Sequence, residues 1–395
     1  MIVGVPKEIL SGERRVAATP ATVKKMVAGG MNVLVEAGAG LGSYVGDDDY
    51  RQAGAEVLAD VESLFGRSEI ILKVKQPLHN DRLGKHEVQM MRNGQVLVTF
   101  LHPASPTNHD TVRQLAEQGV TALTLDCVPR ITLAQSMDAL TSMSTVAGYK
   151  AVIMAADRLL KFVPMVSTAA GVVQPSTALI VGAGVAGLQA LATAKRLGAV
   201  TYAADIRQDA CEQARSLGAK IVELGIPEEV AVGAGGYAKQ LPGEWLARER
   251  DALGEQVAKS DILILTALVP GRRAPVLVTE GMVKAMQAGS AIVDVAIDQG
   301  GNCEISESGQ VVTKWGVTID GTPNIPGTMP LSATHLFAEN VLSYLSRLAK
   351  DGKLHLDPND EIIGPCLVTH DGRVVHRGAL EAMGQAGPAG TTPDD

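Results

Sequence analysis

Short apolar runs rich in Val, Ile and Leu alternate with helical patterns along almost the whole chain. Ile2–Val5 is predicted to be a strand and Pro20–Ala28 a helix, and a long helix is predicted near Met137–Leu160. Strands that alternate with helices indicate a parallel sheet with helices on both faces. The other predicted strands are Val33–Glu36, Ile70–Val74, Val96–Phe100, Thr121–Leu125, Ala178–Val181, Val200–Ala204, Lys220–Val222, Ile262–Thr266 and Ala291–Val295. We therefore predict an α/β fold.

The long predicted helix divides this pattern into two blocks, and a helical pattern over Pro330–Ala349 follows the second block. The simplest topology is a first domain interrupted by a second, with the last helices returning to the first. We expect two Rossmann-like, doubly wound parallel-sheet domains with a cleft between them, formed by residues 1–136 with 328–377 and by residues 137–327. Residues 378–395 are predicted to form a disordered tail.

Composition excludes several classes of function. Aromatic residues make up 3% of the 395, the net charge is −8, and Lys and Arg are scattered, so no nucleic-acid footprint is present. The four cysteines form no CxxC pair and the eight histidines no ligand-spaced cluster, which favours a reduced compartment and no metal site. The N-terminus lacks a signal-peptide layout, and no stretch is apolar enough to span a membrane. We expect a soluble cytoplasmic chain.

A dinucleotide fingerprint follows the predicted strand that ends at position 181. Gly182, Gly184 and Gly187 have the GxGxxG spacing, and Asp205 ends the next strand, 23 residues after Gly182. In such a unit the glycines permit a tight turn, close approach of pyrophosphate and close helix packing, while the acid binds the adenosine ribose. Asp205 favours NAD(H) over NADP(H), although the neighbouring Arg207 could accommodate a 2′-phosphate.

Several segments resemble a known family. Gly4-Val-Pro-Lys-Glu, Arg15-Val-Ala-Ala-Thr-Pro20 and Thr266-Ala-Leu-Val-Pro-Gly271 are similar both to the NAD(H)-binding component, domain I, of proton-translocating NAD(P) transhydrogenase and to the related alanine dehydrogenases. Asp294-Val-Ala-Ile-Asp298-Gln-Gly-Gly301-Asn302-Cys303 has a transhydrogenase-like ending. The resemblance implies cofactor contacts at Gly182, Gly184, Val185, Gly187, Asp205, Ile206, Arg207, Gly236, Tyr237, Ala267 and Leu268.

The segment from Val128 to Met143 resembles transhydrogenase specifically. It is similar to the loop that gathers polar groups beside the nicotinamide, and the resemblance gives that catalytic role to Arg130, Gln135, Asp138 and Thr141. Thr141 stands where the family has Ser. The alternative is a helix start whose polar residues are caps and surface groups.

Gly235-Gly-Tyr237-Ala-Lys239 resembles the mobile loop that closes over bound nucleotide in the same family. Glycines permit hinge motion and Tyr237 could cover the site. An ordinary surface loop is the alternative.

Some residues match the catalytic set of alanine dehydrogenase instead. Lys75 and His102 stand where that enzyme keeps a catalytic Lys and His, Arg15 matches its carboxylate-binding Arg, and Asp298 matches its acid. Such a set could bind a keto acid and protonate it. We favour inheritance without activity, because the transhydrogenase-like segment replaces the dehydrogenase's own segment after Thr124.

The leading hypothesis is therefore an NAD(H)-binding transhydrogenase subunit, which passes hydride between NADH and NADP⁺ held on a partner subunit. The resemblance implies membrane-spanning and NADP-binding partner subunits, a homodimer, and a peripheral location at the inner face of the cell membrane. A self-sufficient alanine dehydrogenase is the alternative, and a non-catalytic NAD-sensing module has nothing positive to recommend it.

Overall fold

The structure is a computed structural model that describes residues 1–233, 238–269, 272–350 and 353–385. The chain divides into two compact units. Unit 1 comprises Met1–Met143 with the chain from Gly327 onward, and unit 2 comprises Ser144–Pro326.

The strands are β1 (Ile2–Val5), β2 (Asn32–Glu36), β3 (Glu56–Leu58), β4 (Ile70–Leu72), β5 (His79–Asn80), β6 (Lys85–His86), β7 (Val96–Thr99), β8 (Thr121–Thr124), β9 (Val166–Thr168), β10 (Gly171–Val173), β11 (Thr177–Val181), β12 (Val200–Ala204), β13 (Lys220–Ile221), β14 (Ile262–Leu265), β15 (Ala291–Asp294), β16 (Val311–Lys314), β17 (Val317–Asp320), β18 (Ala349–Lys350), β19 (Lys353–Leu354), β20 (Leu367–His370) and β21 (Arg373–Val374). The helices are α1 (Pro20–Ala28), α2 (Asp47–Gln52), α3 (Val61–Arg67), α4 (Glu87–Met90), α5 (His109–Glu117), α6 (Ala139–Arg158), α7 (Val185–Arg196), α8 (Gln208–Ser216), α9 (Glu228–Ala231), α10 (Gly243–Ala258), α11 (Glu280–Ala285), α12 (Pro330–Leu348), α13 (Ile363–Cys366) and α14 (Arg377–Ala382).

Unit 1 is built on an eight-stranded sheet in the order β21-β20-β8-β7-β4-β1-β2-β3. The strands from β8 to β3 are parallel, and β20 and β21 extend the sheet antiparallel. Every residue of β4 and β7 is buried, as expected of strands that helices cover on both faces. Because β20 belongs to the C-terminal segment, the end of the chain completes the sheet that its beginning starts.

Unit 2 is built on a seven-stranded sheet in the order β13-β12-β11-β14-β15-β17-β16, parallel except for β16. One face packs against a core rich in alanine, including Ala151 and Ala155 on α6 and Ala190 and Ala194 on α7. A Cβ on Gly148 would lie 2.0 Å from the carbonyl oxygen of Ala186. Small residues thus let α6 and α7 approach closely, so this core needs few aromatic side chains.

The predicted α/β fold with two doubly wound sheets is confirmed, and most predicted elements agree within one or two residues. Two details were wrong. The helix after the fingerprint begins at Val185, not at Leu188. The chain from Gly378 is not disordered throughout, because α14 forms and buries Ala379 and Leu380 on unit 1. In the part of the chain that the structure describes, no helix is long and apolar enough to cross a membrane.

Candidate functional site

The carboxyl ends of β11, β12 and β14 lie side by side. Val181 pairs with Ala204 on one side and with Leu265 on the other, so the residues that follow these three strands meet at one edge of the sheet. This edge is also where the strand order reverses, because β11 is followed along the chain by β12 on one side and later by β14 on the other. Open α/β sheets bind ligands at such a switch point.

The fingerprint turn is packed tightly behind this edge. Gly182 has a φ of +93°, and a Cβ there would lie 2.8 Å from the amide nitrogen of Ala267. The Thr266 hydroxyl donates a hydrogen bond of 2.7 Å to the Gly182 carbonyl oxygen. A Cβ on Gly187 would lie only 1.8 Å from that same oxygen. Gly182 and Gly187 therefore let the turn, α7 and the loop after β14 pack together.

Gly184 differs from its two companions because the space in front of it is open. It caps α7 in an extended conformation, with Val185 as the first helical residue. A Cβ on Gly184 would find its nearest neighbour 3.9 Å away, at the Arg207 guanidinium. The N-terminal amides of a 12-residue helix therefore face open space, an arrangement that suits a phosphate group.

Asp205 follows β12 and accepts four hydrogen bonds. One oxygen accepts from the Ala183 amide at 2.7 Å and from Arg207 Nη2 at 2.8 Å, and the other accepts from the Arg207 amide at 2.9 Å and from Nε at 3.0 Å. The hydrogen bond to Asp205 raises the pKa of Arg207 further. Asp205 thus fixes the fingerprint turn, but its carboxylate is already paired, so ribose hydroxyls would have to displace the guanidinium or share the carboxylate with it.

The loop after β14, which contains Ala267 and Leu268, is held by Asn302. The Asn302 side chain accepts from the Ala267 amide at 3.0 Å and donates to the Ala267 and Pro275 carbonyls at 2.8 Å. Asp294 in turn accepts the Asn302 amide at 3.0 and 3.1 Å. Burial raises the pKa of Asp294, although these amide hydrogen bonds oppose the shift. The Gly-Gly-Asn-Cys segment therefore positions the loop.

Ile206 is half-buried against the Leu- and Val-rich core on the second face of the sheet. Gly236 and Tyr237 lie outside the described residues, as does most of the predicted closing loop. Among the residues that are described, no group of His, Cys, Asp and Glu could hold a metal ion.

The transhydrogenase-like segment forms a 3₁₀ helix over Thr132–Met137, which runs into α6. The Asn340 side chain of α12 donates to the Ser136 carbonyl at 2.8 Å. Asp138 accepts the Thr141 amide at 2.8 Å and the Thr141 hydroxyl at 2.6 Å, so the two residues form a cap at the start of α6. Arg130 and Gln135 are exposed nearby in sequence. The structure therefore brings Asp138 and Thr141 together as a local capping pair.

His102 stands out in unit 1 among the residues that resemble alanine dehydrogenase. It has a φ of +45°, and its Nδ1 lies 2.7 Å from the Asp126 carboxylate, which also accepts the His102 amide at 2.7 Å. Burial opposes ionisation of Asp126, but His102 and the hydrogen bonds outweigh it and lower the pKa of Asp126. Such a pair can hold and move a proton.

The other members of this set are engaged within their own units. The buried Arg15 guanidinium binds both carboxylate oxygens of Glu13, at 2.6 and 2.8 Å. The Lys75 amide donates to Glu8 at 3.4 Å. In unit 2, the Asp298 carboxylate accepts the Asn324 amide at 3.0 and 3.2 Å.

Two buried charged residues escaped the sequence reasoning. In unit 1, the Lys73 ammonium lies 3.0 Å from Glu87 and 3.4 Å from Glu8. Burial lowers the pKa of Lys73, but the two carboxylates outweigh burial and raise it. In unit 2, Glu249 is buried on α10. Its spacing of four residues from Leu253 was the available signal, because it places an acid on the apolar face of the helix.

Comparison with known proteins agrees with this geometry. Residues 4–147 match the N-terminal domain, and residues 151–377 the C-terminal domain, of the family described as alanine dehydrogenase/PNT. The first of the polypeptides that make up NAD(P) transhydrogenase subunit alpha in Rhodospirillum rubrum is 43% identical over 95% of this chain and 98% of its own length. The alanine dehydrogenase of Bacillus subtilis is 34% identical over 97% and 95%. The crystal structure of transhydrogenase from Sinorhizobium meliloti is 40% identical with a TM-score of 0.82, covering 95% of this chain and all of its own. The chain belongs to the alanine dehydrogenase/PNT family.

Proposed function

We propose that this chain is the NAD(H)-binding subunit of a proton-translocating NAD(P) transhydrogenase, and that it passes hydride between its own nicotinamide and NADP⁺ held on a partner subunit. The observation that carries the proposal is the open helix N-terminus at Gly184 beside Asp205, at the switch point of the second sheet. The higher identity to a transhydrogenase subunit than to alanine dehydrogenase supports the same choice.

The nicotinamide supplies the hydride chemistry when it is bound, so the chain's own residues bind, orient and exclude water. The α7 N-terminus and Gly184 would hold the pyrophosphate, and Asp205 the adenosine ribose. The loop containing Ala267 and Leu268, which Asn302 holds in place, would line the site, and Gly236 and Tyr237 would close it. We assign these functions to two domains, residues 137–327 for the dinucleotide and residues 1–136 with 328–377 for the nicotinamide-orienting segment.

We propose that Arg130, Gln135, Asp138 and Thr141 orient the nicotinamide for transfer. The Asp138–Thr141 cap fixes the start of α6, and the 3₁₀ helix places residues three apart above one another, which aligns Gln135 with Asp138. Such groups would act on the geometry of transfer rather than on affinity, and a misplacement of about 1 Å can cost about 100-fold in rate.

The test is Gln135→Asn, which shortens one side chain in this segment. We expect hydride transfer to the partner's NADP⁺ to slow strongly while NADH affinity stays nearly unchanged. Lys75→Ala is the matched control and should leave the transfer rate almost intact. An unchanged transfer rate in Gln135→Asn would contradict the assigned role.

A residual alanine dehydrogenase activity is the second candidate, and the His102–Asp126 pair is the observation that favours it. The pairing of Arg15 with Glu13 counts against it, because a substrate carboxylate would have to compete with an internal one. Turnover of pyruvate and ammonium with NADH, abolished by Lys75→Ala, would identify this activity.

The partner subunits in this proposal are a membrane-spanning subunit and an NADP-binding subunit, which would hold the chain at the inner face of the cell membrane. We also propose a homodimer. The β9–β10 hairpin is paired with neither of the two large sheets, and it carries exposed Val172 and Val173, next to exposed Phe162 and Met165. Exposed apolar side chains grouped in this way are typical of protein interfaces.

A further inference from the structure

Glu249 lies on the buried face of α10. It precedes Leu253 and Val257 by four and eight residues, and both of these side chains are fully buried in the core that also contains Val181 and Ala204. Val181 and Ala204 are the last residues of β11 and β12, so the face of α10 that carries Glu249 packs beneath the carboxyl edge of the sheet. The Glu249 residue is only 6% exposed.

The Glu249 carboxyl is unpartnered, since no hydrogen bond or ion pair reaches it from any residue that the structure describes. The charged groups that act on it are Asp205, a like charge, and Arg250, whose Nε is bonded to the Val276 carbonyl at 2.8 Å. Arg207, the remaining cation at this edge, is held by Asp205. Burial, together with Asp205, raises the pKa of Glu249 to about 7 against a smaller opposing effect of Arg250.

Two acids therefore share one edge of the dinucleotide site, and their ionisation is unequal. Asp205 is neutralised by Arg207 and by amide donors, whereas the buried Glu249 has only a weak counter-charge. A bound adenosine would displace water from this edge and make a second negative charge costlier still. A neutral carboxyl has a proton to donate, as a carboxylate does not.

We propose that Glu249 couples dinucleotide binding to a proton: its neutral form donates a hydrogen bond to the adenosine ribose beside Asp205, and its ionised form opposes binding. This inference rests on the proposed NAD(H) site. It gives the site a titratable group in addition to the expected ribose-binding acid. The consequence is that NADH affinity is constant at low pH and falls as the pH rises through about 7, the value to which burial raises the pKa of Glu249.

The sequence makes the transition easy to assign. Residues 144–326 contain no histidine, so unit 2 lacks the side chain that ordinarily titrates near neutral pH. The thiols of Cys211 and Cys303 are shifted away from neutrality, because burial raises their pKa.

The experiment measures the NADH dissociation constant of the full-length protein by NADH fluorescence from pH 6 to pH 9. We expect the constant to be about tenfold larger at pH 8.5 than at pH 6.5. Glu249→Gln, which keeps a neutral donor, should match the wild-type protein at pH 6.5 and show no pH dependence. Glu244→Gln, at an exposed position on the same helix, is the matched control and should behave as the wild-type protein does.

Calorimetry of the wild-type protein in buffers of different ionisation enthalpy gives a second measurement that needs no variant. Proton uptake on NADH binding near pH 8 is the expected result. NADH binding with a pH-independent constant, or a pH dependence that persists in Glu249→Gln, would overturn the role of Glu249 and leave the proposed NAD(H) site intact. Failure of the wild-type protein to bind NADH at any pH would overturn the proposed function itself and this inference with it.

Discussion

Gly184→Ala separates the dinucleotide site from the stability of the fold. Gly184 has a φ of −74°, which alanine adopts without strain, and the nearest atom to an added Cβ is 3.9 Å away. The free energy of unfolding should therefore stay the same or rise, by about 0.4–1 kcal/mol at most. The new methyl group would instead occupy the space in front of α7 where a pyrophosphate must approach the backbone.

The expected loss of affinity follows from the hydrogen bonds that the methyl group would displace. A hydrogen bond from a backbone amide to a phosphate is worth about 1.5–3 kcal/mol, so losing one raises the NADH dissociation constant by about 10- to 150-fold. Titration of NADH fluorescence measures the constant, and thermal unfolding followed by circular dichroism measures stability. A variant that folds normally and binds NADH poorly is the predicted outcome.

Two other glycines serve as controls. Gly187→Ala would place a methyl carbon 1.8 Å from the Gly182 carbonyl oxygen, so this variant should unfold at a lower temperature. Gly254→Ala, on α10 with no neighbour within 4 Å, should leave NADH affinity unchanged and increase stability by about 1 kcal/mol at most. If Gly184→Ala binds NADH as tightly as the wild-type protein, pyrophosphate does not approach this turn, and the assignment of the site is wrong.

Two further substitutions test other parts of the proposal. Asp205→Ala should weaken NADH binding and narrow the preference for NADH over NADPH, because it removes a negative charge and releases Arg207; calorimetry with both nucleotides measures the change, and an unaltered preference would refute it. Val172→Lys on the β9–β10 hairpin should convert the proposed dimer to a monomer in sedimentation experiments, whereas Val311→Lys at an exposed position of β16 should not; equal behaviour of the two variants would exclude the hairpin as the interface.

The sequence predicted the sheets because their strands are buried on both faces and therefore appear as uninterrupted apolar runs. Ile262–Leu265 and Ala291–Asp294 are examples. The β3 strand and the β9–β10 hairpin were not predicted, because Glu56–Leu58 is short and partly exposed and the hairpin is almost entirely exposed. Local periodicity carries little information about such elements.

The same limit applies to the site. The fingerprint spacing identified Gly182, Gly184 and Asp205, because a βαβ turn imposes its requirements locally. The pairing of Asp205 with Arg207 and the isolation of Glu249 depend on which side chains the fold brings together. The sequence alone offers a buried acid on α10 as a hint, but the neighbouring charge that makes it interesting lies 44 residues away in the chain.

Direct hydride transfer is the central claim, and it is measured with NADH that carries deuterium at the transferable C4 position. The protein is mixed with this NADH, NADP⁺ and an NADP-binding transhydrogenase subunit, and the NADPH formed is examined by mass spectrometry. We predict deuterium in the NADPH, no loss of label to water, and no oxidation of NADH by pyruvate and ammonium in the absence of the partner. Oxidation of NADH by pyruvate and ammonium alone, with no label reaching NADPH, would contradict the account and identify an alanine dehydrogenase.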